Sequence, residues 1–144
     1  MSPHPQIAEP LAVALADKGY ETLTPVQEAV LEPGLEGEDL LVSAQTGSGK
    51  TVAFGLAFSG SVLQGEQRLP TPTAPLALII TPTRELALQV MTELRWLYGP
   101  AGGRITSCIG GMDMRDERRA LERGVHIVVG TPGRLVDHIR RGSL

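Results

Sequence analysis

Leu40-Leu-Val-Ser43, running straight into Ala44-Gln-Thr-Gly-Ser-Gly-Lys-Thr51, decides the reading of this chain. A short apolar run followed by a glycine-rich turn and then a helical pattern, here from Lys50 to about Leu63, is the context a phosphate-binding loop requires. Gly47 and Gly49 carry no Cβ and tolerate positive φ, so the main-chain N–H groups of Gln45, Thr46, Gly47, Ser48 and Gly49 can turn inward on an anion. The helix that follows points its positive end at the same spot. Lys50 can then reach the β- and γ-phosphates of a nucleotide, and the Thr51 hydroxyl can ligate Mg²⁺. The generic pattern has Gly where Ala44 stands, so this loop is a variant. The plainer alternative is a strand-to-helix turn whose lysine is merely solvated.

Working outward, Gln6 to Lys18 places Ile7, Leu11, Ala14 and Leu15 at spacings of three and four, a helix that Gly19 is placed to end. Thr24-Pro25 opens a second short helix, closed by Pro33-Gly34. Residues 64–75 are polar and proline-rich and read as an exposed, mobile loop. Leu76 to Thr81 is a strand of buried type. A helix follows from Pro82 to about Leu97, with Leu86, Val90, Leu94 and Leu97 on its apolar face. Arg104 to Ile109 is a strand ended by Gly110-Gly111, Asp113 to Arg123 a charged helix, and Val125 to Val129 a further strand. Thr131-Pro132 starts the last helix, to about Arg141. Thr-Pro thus begins three helices, at Thr24, Thr81 and Thr131. Strands alternating with helices, and apolar on both faces, predict an α/β fold: a three-layer parallel sheet with helices on both sides.

The 144 residues suffice for one domain with a real core. With 42% hydrophobic and 20% charged residues, the chain is neither disordered nor membrane-spanning in composition. Its longest apolar run, Leu76-Ala-Leu-Ile-Ile80, is far too short to cross a bilayer. The first residues hold no Lys or Arg ahead of an apolar stretch, so no secretory signal is expected. A single cysteine, Cys108, fits a reducing cytoplasm and excludes an internal disulfide. The formal charge is −3, so any grip on nucleic acid must come from locally placed groups. Aromatics, at 3%, are too few for a base-stacking platform.

Phosphoryl chemistry also needs an acidic residue at the end of a neighbouring strand. No apolar run here is followed by Asp or Glu, and the expectation is that the chain stops before that residue.

Taken in order, the motifs resemble the first half of the N-terminal RecA-like domain of the DEAD-box ATP-dependent RNA helicases. Gly19-Tyr-Glu-Thr-Leu-Thr-Pro-Val-Gln27 is similar to that family's Q motif, and Ala44–Thr51 to motif I, Ala included. Pro82-Thr-Arg-Glu-Leu-Ala87 is similar to motif Ia, Gly110-Gly111 to the paired glycines, and Thr131-Pro-Gly-Arg134 to motif Ib. Any one string is weak; five in sequence are specific. Leu23 stands where the Q motif has Pro, and the upstream aromatic that stacks on adenine would fall near Ser2. The Asp-Glu-Ala-Asp and Ser-Ala-Thr motifs and the second RecA-like domain are absent.

The resemblance implies a helical Q-motif segment over residues 1–36 and an incomplete RecA-like P-loop NTPase domain over 37–144. It implies ATP with Mg²⁺ as cofactors, with Tyr20, Thr22, Gln27 and Ala44 to Thr51 around the nucleotide and Lys50 and Thr51 catalytic. It also implies an RNA sugar–phosphate chain held by Pro82, Thr83, Arg84, Gly110, Gly111, Thr131, Pro132, Gly133 and Arg134. Gln27 has two readings, an adenine-reading amide and half of a Thr24-x-x-Gln27 capping box. Unpaired sheet edges suggest a homodimer of the fragment. The expectation for the isolated fragment is nucleotide binding without efficient hydrolysis or unwinding. The rival reading is a small P-loop nucleotide or metabolite kinase. Of the rest, Arg115 to Arg119 reads as a solvated charge run. Met112 and Met114 read as gap-filling core, Cys108 as buried and inert, and Trp96 as packing. His4, His126 and His138 have no metal-ligand spacing.

Overall fold

The computed structural model describes residues 7–19, 23–31, 50–63 and 68–144. The expected strand Leu40–Ser43, the turn 44–49 and the closing Pro33-Gly34 lie outside the described residues. The elements are α1 (Glu9–Asp17), α2 (Pro25–Val30), α3 (Lys50–Ala57), α4 (Ser59–Leu63), β1 (Ala77–Ile80), α5 (Arg84–Tyr98), β2 (Ile105–Cys108), α6 (Met114–Arg123), β3 (Ile127–Gly130) and α7 (Pro132–Arg140). A single 3₁₀ turn, Gly99–Ala101, follows α5.

The three described strands form a parallel sheet in the order β1-β3-β2. Parallel neighbours need crossovers, and α5, α6 and their loops supply them. Side chains alternate across the sheet, so its two faces carry two cores. On one face Ile105, Ile127 and Val129 join Leu11 and Leu15 of α1, Val52 and Leu56 of α3, and Val90, Leu94 and Leu97 of α5. On the other, Cys108 and Val128 pack with Leu121 of α6 and Leu135 of α7. β3, central and covered on both faces, is buried throughout.

Several expectations need correction. β1 is not of buried type: among the described residues it is an edge strand, and its outer face is bare, with Leu78 48% and Ile80 62% exposed. α5 does not start at Thr81-Pro82. Thr81 N–H still donates to Gly130 O in the ladder (2.9 Å), its hydroxyl donates to Thr83 O (3.2 Å), and Thr83 is the cap, accepting from Leu86 N–H (3.2 Å). Leu86 is consequently exposed, and Ala87 and Met91 join the apolar face in its place. The helix from Lys50 is interrupted at Phe58, where the Ser59 hydroxyl turns back on Leu56 O (2.6 Å). Within 68–75 the loop is stitched down: Leu69 is buried and its N–H donates to Ala101 O, while Pro70 O lies 2.7 Å from His126 Nε2. Gly124, at φ +95°, lets that loop close on α6, since a Cβ there would overlap the Pro72 carbonyl. Met112 is 52% exposed and forms no part of the core.

The predicted N-terminal helix begins at Glu9, one residue after its cap Ala8, and Gly19 follows its end at φ +84°. Trp96 packs against the core as expected and carries Lys18 Nζ over its ring at 5.6 Å.

Tyr98 locks α5 to α3. It is fully buried, its ring stacks on Phe58 at 5.8 Å, and its hydroxyl donates to Gly55 O at 2.6 Å. Burial pushes that hydroxyl's pKa up from its ordinary value, so it remains a donor. Tyr98→Phe removes one buried bond at constant packing, and urea denaturation is expected to show a loss of about 1–2 kcal/mol. An unchanged midpoint would mean that this bond does not hold α5 to α3.

Candidate functional site

Parallel register decides where the motif residues meet. Ile80 of β1, Gly130 of β3 and Cys108 of β2 are aligned across the sheet. The three segments that leave these strands, Thr81 to Arg84, Ile109 to Gly111 and Thr131 to Arg134, therefore emerge side by side at the carboxyl edge. In open α/β sheets, ligands bind outside this edge.

Two helices start there. α5 begins at Arg84 behind its Thr83 cap, and α7 begins at Pro132 behind Thr131, whose side chain makes no capping bond. The first turn of α7 holds no acidic residue, so the positive end of that helix is not neutralised by its own side chains. Gly111 adopts φ +87°, and a Cβ built on it would fall 2.8 Å from Arg84 Nη1. The Arg84 guanidinium thus lies against the paired-glycine turn, whose positive φ at Gly111 favours glycine. Pro82, Thr83, Arg84, Gly111, Pro132 and Gly133 are exposed, and Gly110 and Thr131 are half-buried. Main-chain donors and one guanidinium at adjacent loop ends form a surface suited to phosphate oxygens.

Arg134 departs from that set. Its side chain is only 13% exposed; Nη2 donates to Met112 O (2.9 Å) and Nη1 lies 3.6 Å from Glu117 Oε1. Glu117, expected on a solvated charge run, is buried. Its neighbours Arg115, Asp116, Arg118 and Arg119 do face solvent.

On the nucleotide side, Lys50 is the exposed first residue of α3 and Thr51 follows it half-buried. The first turn of α3 also lacks an acidic residue. A helix start whose first turn holds no acidic residue, an ammonium and a hydroxyl are the donor set that polyphosphate and Mg²⁺ take. Gln27 is fully buried, and the capping box is formed in both directions: Gln27 N–H donates to Thr24 Oγ1 (3.4 Å) and Thr24 N–H to Gln27 Oε1 (3.0 Å). α2 packs directly on α3, so Gln27 and Lys50 belong to touching helices. Tyr20, Thr22, Ala44, Gln45, Thr46, Gly47, Ser48 and Gly49 lie outside the described residues.

The chain matches the family model described as DEAD/DEAH box helicase over residues 24–144. It is 46% identical over 126 residues to the ATP-dependent RNA helicase CshA of Listeria monocytogenes, covering 88% of this chain and 23% of that protein. It is 42% identical over 131 residues to the DEAD-box ATP-dependent RNA helicase 53 of Oryza sativa, covering 90% and 21%. Among solved structures, the RNA helicase Prp28 of Chaetomium thermophilum bound to ADP superposes with a TM-score of 0.79 at 38% identity, covering 94% of this chain and 33% of that one. A DEAD box protein from Methanococcus jannaschii gives 0.79 at 37% identity, covering 96% and 36%. The α/β, RecA-like reading of the fold holds, and the kinase alternative is not favoured. The chain spans about a fifth of the length of these curated relatives.

Cys108 supplies a test of the site's interior. It is buried, and burial, with the Glu117 charge adding to it, pushes its thiol up from 9.0 to about 12. A raised thiol pKa favours the neutral folded form. Its contribution to stability is therefore complete below pH 9, where the unfolded thiol titrates, and is lost as pH rises toward about 12. A thiol reagent at pH 8 is expected to leave the folded chain unlabelled and to label it in urea; rapid native labelling would contradict this placement.

Proposed function

Because this chain belongs to the DEAD/DEAH box helicase family, we propose that it is the ATP-binding and RNA-gripping portion of an ATP-dependent RNA helicase. The observation that carries this reading is the alignment of three motif-bearing loops at one sheet edge, with Arg84 laid against Gly111.

Lys50, with the start of α3 and the main chain of Ala44 to Gly49, draws in the β- and γ-phosphates, and the Thr51 hydroxyl holds Mg²⁺. The bound nucleotide and its metal supply the scissile bond and charge neutralisation. Tyr20 and Thr22 belong to the same proposed nucleotide set. Gln27 serves two ends: its amide oxygen caps α2, and its carboxamide is the group that the family's Q motif uses to read the adenine edge. Because α2 sits on α3, base reader and phosphate reader are held at a fixed separation.

RNA lies along the carboxyl edge. Pro82, Thr83 and Arg84, the Gly110-Gly111 turn, and Thr131, Pro132 and Gly133 meet its sugar–phosphate chain. Such contacts confer affinity without sequence preference and suit a chain whose net charge is negative. In the whole protein, binding of ATP and RNA across a cleft to a second RecA-like domain would strain the duplex, and hydrolysis would reopen it. None of the described strands leads into an Asp or Glu: β1 runs into Thr81, β2 into Ile109, and β3 into Thr131. The 144 residues by themselves therefore bind nucleotide with negligible turnover.

Two further parts of the proposal concern context. The edge of β1 that is unpaired among the described residues pairs with a second copy of the chain, which light scattering would reveal as a dimer. Among the described residues no helix is long and apolar enough to cross a membrane, and the cytoplasm is the proposed location.

Calorimetry with Mg·ATP tests the nucleotide half. Binding heat is expected for the wild-type chain and none for Lys50→Ala. Gln27→Glu keeps the capping oxygen but loses the amide donor, so it is expected to narrow the preference for ATP over GTP, and to lower the melting temperature because the new carboxyl is buried. Equal heats for wild type and Lys50→Ala would refute the assignment.

A further inference from the structure

Glu117 is a buried carboxylate with three polar neighbours, outside the residues assigned above. Its Oε2 accepts from Ile109 N–H at 2.9 Å, at the point where β2 passes into Gly110-Gly111. Its Oε1 lies 2.8 Å from His138 Nε2 and 3.6 Å from Arg134 Nη1, both on α7. Arg134 in turn donates through Nη2 to Met112 O, just beyond the paired glycines. One carboxylate and one guanidinium therefore bracket the turn, on one side through Ile109 and on the other through Met112, and fasten both sides to α7. Glu117, His138 and Arg134 are all nearly withdrawn from solvent.

We propose that Glu117 and Arg134 are a positioning pair: they fix the Gly110-Gly111 turn against the start of α7, and Arg134 acts on RNA through that turn, not by touching phosphate. This rests on the RNA-gripping reading above and assigns Arg134 a role different from that of Arg84. The charge arithmetic favours it. A guanidinium that is only 13% exposed, paired with a buried carboxylate and donating to a carbonyl, presents little of itself to a phosphate in solvent. Leaving that carboxylate without its partner would be costly. Arg84, by contrast, is exposed against the outer side of the same turn.

The same cluster has a second chemical reading. Ligand atoms of Cys108, Glu117 and His138 lie within 4.8 Å of one another. Both Glu117 oxygens are engaged, however, and a fixed positive charge stands beside one of them, so a cation would displace bonds the fold already uses. His138 Nδ1 has no partner among the described residues. An ionised carboxylate can only accept, so the Nε2–H tautomer satisfies this geometry and leaves a lone pair on Nδ1.

Three variants, with Arg84→Ala as reference, separate positioning from contact. Glu117→Ala removes the tie. Glu117→Gln retains an acceptor for Ile109 N–H and offers an amide N–H to His138, whose ring can take the other tautomer. Arg134→Ala removes the second strap. Titrating each chain with a single-stranded RNA oligonucleotide over a range of salt gives both affinity and the number of phosphates neutralised. Glu117→Ala and Arg134→Ala are each expected to weaken RNA binding by about tenfold, with an unchanged slope of log K against log salt. Arg84→Ala is expected to lower that slope by about one. Mg·ATP affinity should stay within about twofold for both positioning variants, as for an independent site. Glu117→Gln is expected to recover most of the RNA affinity.

Amide exchange on the chain without RNA supplies a readout independent of RNA binding, and it applies to Glu117→Gln and Arg134→Ala even where Glu117→Ala does not fold. The Ile109 amide should be protected in wild type and in Glu117→Gln. The Gly110 and Gly111 amides should exchange faster in Arg134→Ala than in wild type. A lower salt slope for Arg134→Ala would overturn the proposal by making Arg134 a phosphate ligand, as would exchange at Gly110 and Gly111 unchanged by Arg134→Ala. A wild-type chain that bound no RNA would refute the RNA-gripping reading instead, and the exchange data would still decide whether the pair holds the turn.

Discussion

Everything at the carboxyl edge depends on the parallel pairing of β3 with both of its neighbours. That register sets Ile80, Gly130 and Cys108 in one line, so three loops far apart in sequence leave the sheet at the same height. Slipping one strand by a residue would turn its buried face outward and move its loop out of the row. β3 resists this because it is covered on both sides, by the core beneath α5 on one face and by the smaller core beneath α6 and α7 on the other. The packing that gives the chain its stability thus also sets the spacing of the groups proposed to meet a ligand.

Stability and function share residues in a second way. Gly111 and Gly124 both occupy positive φ with a neighbour closing the space a side chain would fill. At Gly124 the neighbour is the Pro72 carbonyl, which anchors the loop ahead of β1. At Gly111 it is the Arg84 guanidinium, which joins two of the motif-bearing loops. The first contact holds the amino end of the sheet together; the second shapes the surface at the other end.

The layered α/β architecture and the identity of the motif-bearing loops were legible from sequence. Thr-Pro starts, a Gly-Gly turn and apolar runs are local signals, and parallel pairing follows from the alternation of elements. What was not legible depended on three-dimensional coverage. The apolar run at Leu76 to Ile80 looks like an interior strand, yet whether both faces are covered depends on how many elements reach it. Glu117 was hidden in a run of charges. Its spacing of four from Leu121 places both on the buried face of α6, and His138 stands three residues from Leu135 on α7 in the same way. Helical periodicity could have singled out both, had the charge run at Arg115 to Arg119 not been read as solvated and had His138 not been weighed only for metal-ligand spacing. Arg134 escaped for a different reason: an arginine after a helix start has the same sequence signature whether its guanidinium faces outward or is folded back on a carboxylate.

The central claim is that the carboxyl edge of this sheet is the RNA face, with an RNA backbone at the ends of β1, β2 and β3, and that nucleotide binds at the start of α3. Chemical-shift mapping of the isotope-labelled chain tests it most directly. With Mg·ATP the account predicts shifts centred on Lys50 and Thr51, and with oligonucleotide RNA on Thr83, Arg84, Gly110, Gly111 and Thr131 to Gly133. Shifts gathered instead at the amino edge, around Arg104 and Gly124, or scattered over the surface without a focus, would contradict it.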